Sequence, residues 1–134
     1  MNIPSIRPAF EGLQPAAVWS HFSALCAIPR SSKNETELVS FLRSWAEARG
    51  IDARTDAAGN LFLRKPASPG YENAPGVVLQ SHLDMVCQKN EGVAHDFLRD
   101  PIVPVLRDGW IVAEETTLGA DNGIGVALIL AALE

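Results

Sequence analysis

This sequence is poor in cysteine and carries no excess of positive charge. Its two cysteines, Cys26 and Cys87, do not have the paired spacing of a zinc-binding motif, and they do not require a disulfide. Lysine and arginine total 11 against 16 acidic residues, which gives a net charge of −5. Because recognition of a phosphate backbone needs a basic surface, we expect no nucleic-acid partner. The scarcity of cysteine favours a reducing cytoplasm.

Long apolar runs are also absent. A membrane-spanning helix needs about 20 apolar residues, and the longest run here, Ile124–Leu133, is far shorter. Met1–Phe10 contains two prolines and no apolar core, so it does not resemble a signal peptide. A hydrophobic fraction of 47% in 134 residues is typical of one folded domain. We therefore expect a globular cytoplasmic chain without a membrane partner.

Two helices are predicted in the first 50 residues. The first begins near Pro15 and ends before Pro29, since apolar residues between them recur at helical spacing. The second begins at a capping-box pattern formed by Asn34 and Glu37, and it ends at Gly50. The residues before the first helix are expected to form an irregular arm over residues 1–14.

The middle of the chain predicts β structure. Ile51–Thr55 and Leu61–Arg64 flank a turn-prone segment and indicate a hairpin, and so do Ile102–Leu106 and Trp110–Ala113. Between the two hairpins, the unbroken aliphatic run Val77–Leu79 predicts a central strand that is buried on both faces.

A final helix is predicted from Asp121 to Leu133. Because it has no polar face, we expect it to be covered on all sides. The order of elements predicts an α/β fold with a mixed β-sheet flanked by helices. No strand follows the last helix, so residues 1–134 are expected to be the front part of a larger domain.

His82 and Asp84 follow the predicted central strand directly. Alternate residues of a strand point to the same side, so an imidazole and a carboxylate share one face at its carboxyl end. Open α/β sheets usually bind their ligands at that end. A metal-binding imidazole supported by a carboxylate fits the pair. A histidine bonded to nearby backbone, followed by a solvated aspartate, fits it as well.

A glycine-rich segment surrounds Asp121 at the start of the last helix. The simplest interpretation of Asp121 is a helix N-cap. The segment contains three glycines, Gly119, Gly123 and Gly125, which is more than a helix cap requires. They indicate that the backbone passes close to another group or adopts angles that other residues avoid. A phosphate-binding loop is disfavoured because the segment does not directly follow a strand and lacks the later glycine.

Other ionisable residues are weaker candidates. His21 lies within the first helical pattern and is expected at the surface, and His95 stands in an irregular stretch where it has some chance of touching a substrate. Cys87 has no base spaced to activate it as a nucleophile. Glu114 and Glu115 are expected to be solvated.

Taken together, Ser81–Asn90 and Thr116–Gly125 resemble the co-catalytic zinc metallopeptidases, which include carnosinases, aminoacylases and glutamate carboxypeptidase. Within this family the chain looks like the bacterial aminoacyl-histidine dipeptidases. The run Met85–Lys89 and the triplet Asp121–Gly123 favour that branch, and the early segment Ala27–Ser32 fits its Ile-Pro-Arg element too.

The resemblance implies a role for each matching residue. His82 would ligate one metal ion, Asp121 would bridge two, and Asp84 would be the catalytic-site aspartate that orients His82 and tunes the metal-bound water. The cofactor would be Zn²⁺, two ions per site, with Co²⁺ or Mn²⁺ as alternatives. The family also has a cis peptide after the bridging aspartate, which here would join Asp121 to Asn122.

The resemblance also implies that residues 1–134 are the N-terminal part of a zinc-peptidase-like catalytic domain. The family's Glu-Glu pair, which includes the general base, its further metal ligands and its lid or dimerisation domain would lie beyond Glu134. The full-length protein would hydrolyse dipeptides of the Xaa-His type, whereas this chain would be inactive and would form homo-oligomers. Two alternatives remain: a non-catalytic α/β module that binds a protein partner or itself, and a nucleotide-binding α/β domain.

Overall fold

The computed structural model describes residues 8–134. Half of the expected irregular arm, residues 1–7, lies outside the described residues, and the other half begins with a short 3-10 helix, Pro8–Phe10. The elements that follow are the helices α1 (Ala16–Ala27), α2 (Thr36–Glu47) and α3 (Ala120–Leu133) and the strands β1 (Asp52–Thr55), β2 (Leu61–Arg64), β3 (Pro104–Arg107) and β4 (Trp110–Ala113).

Both predicted hairpins are confirmed. β1 pairs antiparallel with β2, and β3 pairs antiparallel with β4. In the first turn, the Asp56 carboxylate accepts hydrogen bonds from the backbone N–H groups of Ala58 and Asn60, both at 2.9 Å. The predicted combination of helices and strands is therefore present. Within residues 8–134, however, the strands form two separate two-stranded sheets instead of one mixed sheet.

The expected central strand at Val77–Leu79 is not formed. Val77, Val78 and Leu79 are 82%, 91% and 53% exposed, and within the described part of the chain no segment pairs with them. A strand needs a neighbour to bond its backbone N–H and C=O groups. The prediction of a buried strand is wrong for this chain because its pairing partners are not among the described residues.

The hydrophobic core lies where α1 packs against α3 and where α2 and the 3-10 helix cover α1. Its least exposed apolar side chains come from all three helices: Phe22, Leu25, Cys26, Leu38, Leu42 and Leu130. Only one side of α3 is covered, since Leu128 is 53% exposed. The expectation that α3 is buried on all sides is therefore wrong.

His21 is buried in α1 and not at the surface as expected. Its side chain meets the edge of the Trp45 ring, and its Nε2 lies 3.5 Å from the Glu134 carboxylate. Burial lowers the pKa of His21 below 6.5, although the Glu134 charge acts in the opposite direction. The helical pattern misled here because α1 is covered on nearly all sides, with every residue from His21 to Cys26 buried.

The capping box predicted for α2 is not formed. The helix begins at Thr36, after Glu35, and no side chain caps it. Instead the Asn34 amide donates to the Ser31 hydroxyl at 3.1 Å and to the Ser32 carbonyl at 3.4 Å. Asn34 therefore stabilises the α1–α2 loop, defined here as residues 28–35. No helix within residues 8–134 is long and apolar enough to cross a membrane.

Candidate metal centre

The structure brings His82, Asp84 and Asp121 together. Nδ1 of His82 lies 3.0 Å from Oδ1 of Asp84, and Nε2 lies 3.1 Å from Oδ1 of Asp121. The three side chains lie at an open surface, since those of His82 and Asp121 are 50% and 95% exposed. An imidazole between two carboxylates, with one nitrogen at an open surface, can present that nitrogen to a metal ion.

Hydrogen bonds within the cluster change the acidity of its members. The Ser32 hydroxyl donates to Oδ2 of Asp84 at 2.5 Å, and this bond, together with His82, lowers the pKa of Asp84. Partial desolvation lowers the pKa of His82, but its hydrogen bonds to Asp121 and Asp84 outweigh that effect and raise it above 6.5. Both shifts favour the charged forms in the metal-free chain.

Arg30 is a buried side chain that connects the two chain segments of the site. It is 2% exposed, and its guanidinium donates to the Leu83 carbonyl at 3.0 Å and to the Gly119 carbonyl at 2.6 Å. Its own backbone carbonyl accepts a hydrogen bond from the Met85 N–H at 3.0 Å. Arg30 therefore fixes the segment that carries His82 and Asp84 against the segment that carries Asp121.

The glycines around Asp121 are explained by close approach, as predicted. Gly119 has φ +72, and a Cβ atom there would lie 2.6 Å from Nη2 of Arg30. A Cβ atom at Gly123 would lie 2.7 Å from the same nitrogen, and one at Gly125 would overlap the side chain of Asn122. At Gly119 and Gly123 the backbone therefore runs against the buried guanidinium, with no room for a side chain at either position.

Asp121 is not the N-cap of α3. The capping position is Gly119, and Asp121 itself has non-helical angles, φ −92 and ψ 104. The helix is instead supported by Asn122, whose Oδ1 accepts from the Gly125 N–H at 3.1 Å. The peptide bond between Asp121 and Asn122 is cis, as the resemblance implies. Asp121 thus keeps its carboxylate free of capping hydrogen bonds.

The weaker candidates make other contacts. His95 packs against Phe97 with ring centroids 4.4 Å apart, and Cys87 and Cys26 are free thiols. Burial raises the pKa of Cys26 to about 12, which makes it inert as a nucleophile. Glu114 is exposed and pairs with Arg107.

Sequence reasoning missed Ser32 and Arg30 as parts of the site. Both lie in Ala27–Ser32, which the sequence links only to the family resemblance, and Ser32 contacts Asp84 from 52 residues away in the sequence. A usable signal did exist for Arg30, because it follows a run of buried residues and charged side chains are rarely buried without partners.

The donors that face the surface have the chemistry that zinc prefers. Imidazole nitrogen and carboxylate oxygen are common zinc ligands, and His82 has its other nitrogen bonded to a carboxylate in the usual supporting arrangement. Within residues 8–134, no group of three or more His, Cys, Asp or Glu side chains is placed to hold a metal ion. His82 and Asp121 thus fit as two ligands of a zinc site that needs further ligands.

Comparisons with known proteins support a dipeptidase relationship. No protein-family profile matches the sequence. The cytosol non-specific dipeptidase of Escherichia coli (strain K12) is 48% identical over 121 residues, which are 90% of this chain and 25% of that relative. The crystal structure of aminoacylhistidine dipeptidase from Vibrio alginolyticus superposes with a TM-score of 0.89 at 52% identity, over 91% of this chain and 25% of that one.

The chain therefore spans about a quarter of the length of the curated relative that it matches. The fold agrees with the same fraction of a solved dipeptidase structure, and the resemblance predicted from the two motifs is confirmed. The chain is thus similar in sequence to the Escherichia coli dipeptidase and in sequence and fold to the Vibrio alginolyticus one, over about a quarter of each.

Proposed function

We propose that this chain supplies part of the zinc site of a dipeptidase, with His82 and Asp121 as metal ligands and Asp84 as the residue that orients His82. One observation carries the proposal. Nδ1 of His82 is engaged by Asp84, which leaves Nε2 facing the Asp121 carboxylate at 3.1 Å. Those two atoms are the donors that a zinc ion would take at this surface.

In the complete enzyme, two bound zinc ions would activate a water molecule and polarise the peptide carbonyl. The residues of this chain would hold the ions in place. His82 would bind one ion through Nε2, and Asp121, whose side chain is 95% exposed, can offer its two oxygens to two ions. Co²⁺ and Mn²⁺ accept the same donors.

The substrate would be a dipeptide of the Xaa-His type. This specificity rests on the name of the Vibrio alginolyticus relative, and a cytoplasmic location rests on the name of the Escherichia coli one. We place residues 1–134 in the N-terminal part of the catalytic domain. The general-base glutamate, the other metal ligands and a lid or dimerisation domain would belong to the three quarters of the relatives that this chain does not match. The 134-residue chain by itself would be inactive.

Weak zinc binding through His82 is the expected behaviour of this chain. Two protein ligands give zinc an incomplete shell, so calorimetric titration with zinc chloride should yield a dissociation constant of about 1 μM or weaker. His82→Ala should abolish the binding heat. His95→Ala removes a histidine outside the site and should leave the heat unchanged. Nanomolar affinity, or equal binding by His82→Ala, would contradict this assignment.

A second candidate function, self-association, is favoured by the exposure of Val77–Leu79. Three successive aliphatic side chains whose backbone is unpaired within residues 8–134 form a template for strand pairing, and the same segment of a second copy is a suitable partner.

Light scattering after gel filtration should therefore show oligomers of the 134-residue chain. Val78→Lys should shift them towards monomer because it places a charge in the segment. Val103→Lys charges another exposed valine, 58% accessible, and should have no such effect. A wild-type chain that stays monomeric at high concentration would rule this function out.

A further inference from the structure

We propose that Ser32 is a positioning residue for His82: its hydroxyl fixes the Asp84 carboxylate, which in turn fixes which nitrogen of His82 carries the proton. This inference rests on the proposed metal site and names a residue of the α1–α2 loop as part of its support. The loop reaches the site from the other end of the chain, since Ser32 and Asp84 are 52 residues apart in the sequence.

The geometry uses both oxygens of Asp84. Oδ2 accepts from the Ser32 hydroxyl at 2.5 Å, and Oδ1 lies 3.0 Å from Nδ1 of His82. A carboxylate held on both sides has little freedom to rotate about its terminal torsion, which is otherwise soft. Because the Asp84 side chain is 35% exposed, water would compete for Oδ1 once the hydroxyl is removed.

Ser32 is itself held in place. The Asn34 amide donates to the Ser32 carbonyl, and a bridge of parallel strand type joins the neighbouring Ser31 to Met85. The Met85 N–H also donates to the Arg30 carbonyl at 3.0 Å. The hydroxyl therefore approaches Asp84 from a loop that is anchored to the same segment of chain that carries Asp84.

His82 lies between two carboxylates of unequal rigidity. Asp84 is anchored by Ser32, whereas the Asp121 side chain is 95% exposed and accepts no capping hydrogen bond. A neutral imidazole carries one proton, and an anchored acceptor retains it better than a solvated one. The Asp84 backbone carbonyl, 3.1 Å from Nδ1, favours the same tautomer. The proton should therefore reside on Nδ1, which leaves the lone pair of Nε2 for a metal ion.

The test reads the tautomer of His82 directly in the zinc-free 134-residue chain. Two-bond nitrogen–proton correlation spectra, recorded at about pH 9 so that the imidazole is neutral, report which ring nitrogen is protonated. We expect the Nδ1–H form in the wild type, a shift towards Nε2–H in Ser32→Ala, and retention of Nδ1–H in Ser32→Thr. Ser40→Ala, which removes a hydroxyl from the exposed face of α2, is the control.

The same variants are then titrated with zinc chloride. Loss of a supporting partner typically weakens metal binding about 10- to 100-fold, so Ser32→Ala should bind at least 10-fold more weakly and Ser32→Thr should restore the affinity. Ser32 is exposed, so Ser32→Ala is expected to stay folded by circular dichroism. Ser32→Cys, with a weak thiol donor of similar size, provides a second variant and should give an intermediate tautomer ratio.

If Ser32→Ala kept the wild-type tautomer of His82, the positioning role of Ser32 would be overturned, whatever the zinc affinity of the variants. A tautomer shift without any zinc binding by the wild type would support the action of Ser32 on His82 and would count against the metal site. The two proposals can therefore fail separately.

Discussion

Arg30→Met is expected to lower the free energy of unfolding by about 3–5 kcal/mol, because it removes two hydrogen bonds from a charged donor, each worth about 1.5–3 kcal/mol. Methionine matches the length of the side chain but has no donors. The carbonyls of Leu83 and Gly119, bonded at 3.0 Å and 2.6 Å, would lose this partner in the interior. Urea denaturation followed by circular dichroism measures the loss.

Arg43→Met is the matched control for this substitution. Arg43 is an exposed arginine of α2, and its ion pair with Glu47 at 3.7 Å lies at the surface. Surface pairs of this kind contribute about 0.5 kcal/mol or less. If Arg30→Met and Arg43→Met unfolded at the same urea concentration, Arg30 would not be what holds the Leu83 and Gly119 segments together.

Gly119→Ala should also destabilise the chain strongly, by about 2–5 kcal/mol. A left-handed backbone costs a non-glycine residue about 1–2 kcal/mol, and overpacking adds about 1–3 kcal/mol. The new Cβ would lie 2.6 Å from Nη2 of Arg30 and 2.7 Å from Sδ of Met85, so neither neighbour can stay where it is.

Gly50→Ala separates the two contributions to that loss. Gly50 has φ +68, close to the +72 of Gly119, but nothing lies within 4 Å of the Cβ position. Its alanine variant should therefore show the backbone cost alone, about 1–2 kcal/mol. Thermal or urea unfolding of both variants gives the difference. Equal losses would mean that the site has room beside Arg30 that the structure does not show.

Local sequence signals predicted the local structure well. The turns at Asp56 and at Asp108–Gly109 place both hairpins, because a hairpin is specified by a few neighbouring residues. The prediction of a strand at Val77–Leu79 failed because a strand is not specified locally. The aliphatic side chains of this segment indicate a strand, but a strand also requires neighbours, and those are supplied by distant parts of a sequence or not at all.

The site was predictable only in part. Strand alternation predicted that His82 and Asp84 share one face, and their side chains are in contact although the strand is not formed. Asp121 entered through the resemblance, since no spacing rule connects residues 82 and 121. Ser32 and Arg30 were missed because their partners are 52 to 89 residues away, and Arg30 bonds to backbone carbonyls, which leave no mark in the side-chain pattern.

The reach of Arg30 along the sequence has a consequence for the order of folding. Its two partners, the Leu83 and Gly119 carbonyls, are 53 and 89 residues from it, whereas each hairpin closes over a few residues. Closing long loops costs more entropy, and contacts of high sequence separation slow folding. We therefore expect the hairpins to form early and the bonds from Arg30, which hold the segments of His82 and Asp121 together, to form last. Metal capture at this surface would then signal that both ends of the chain have docked.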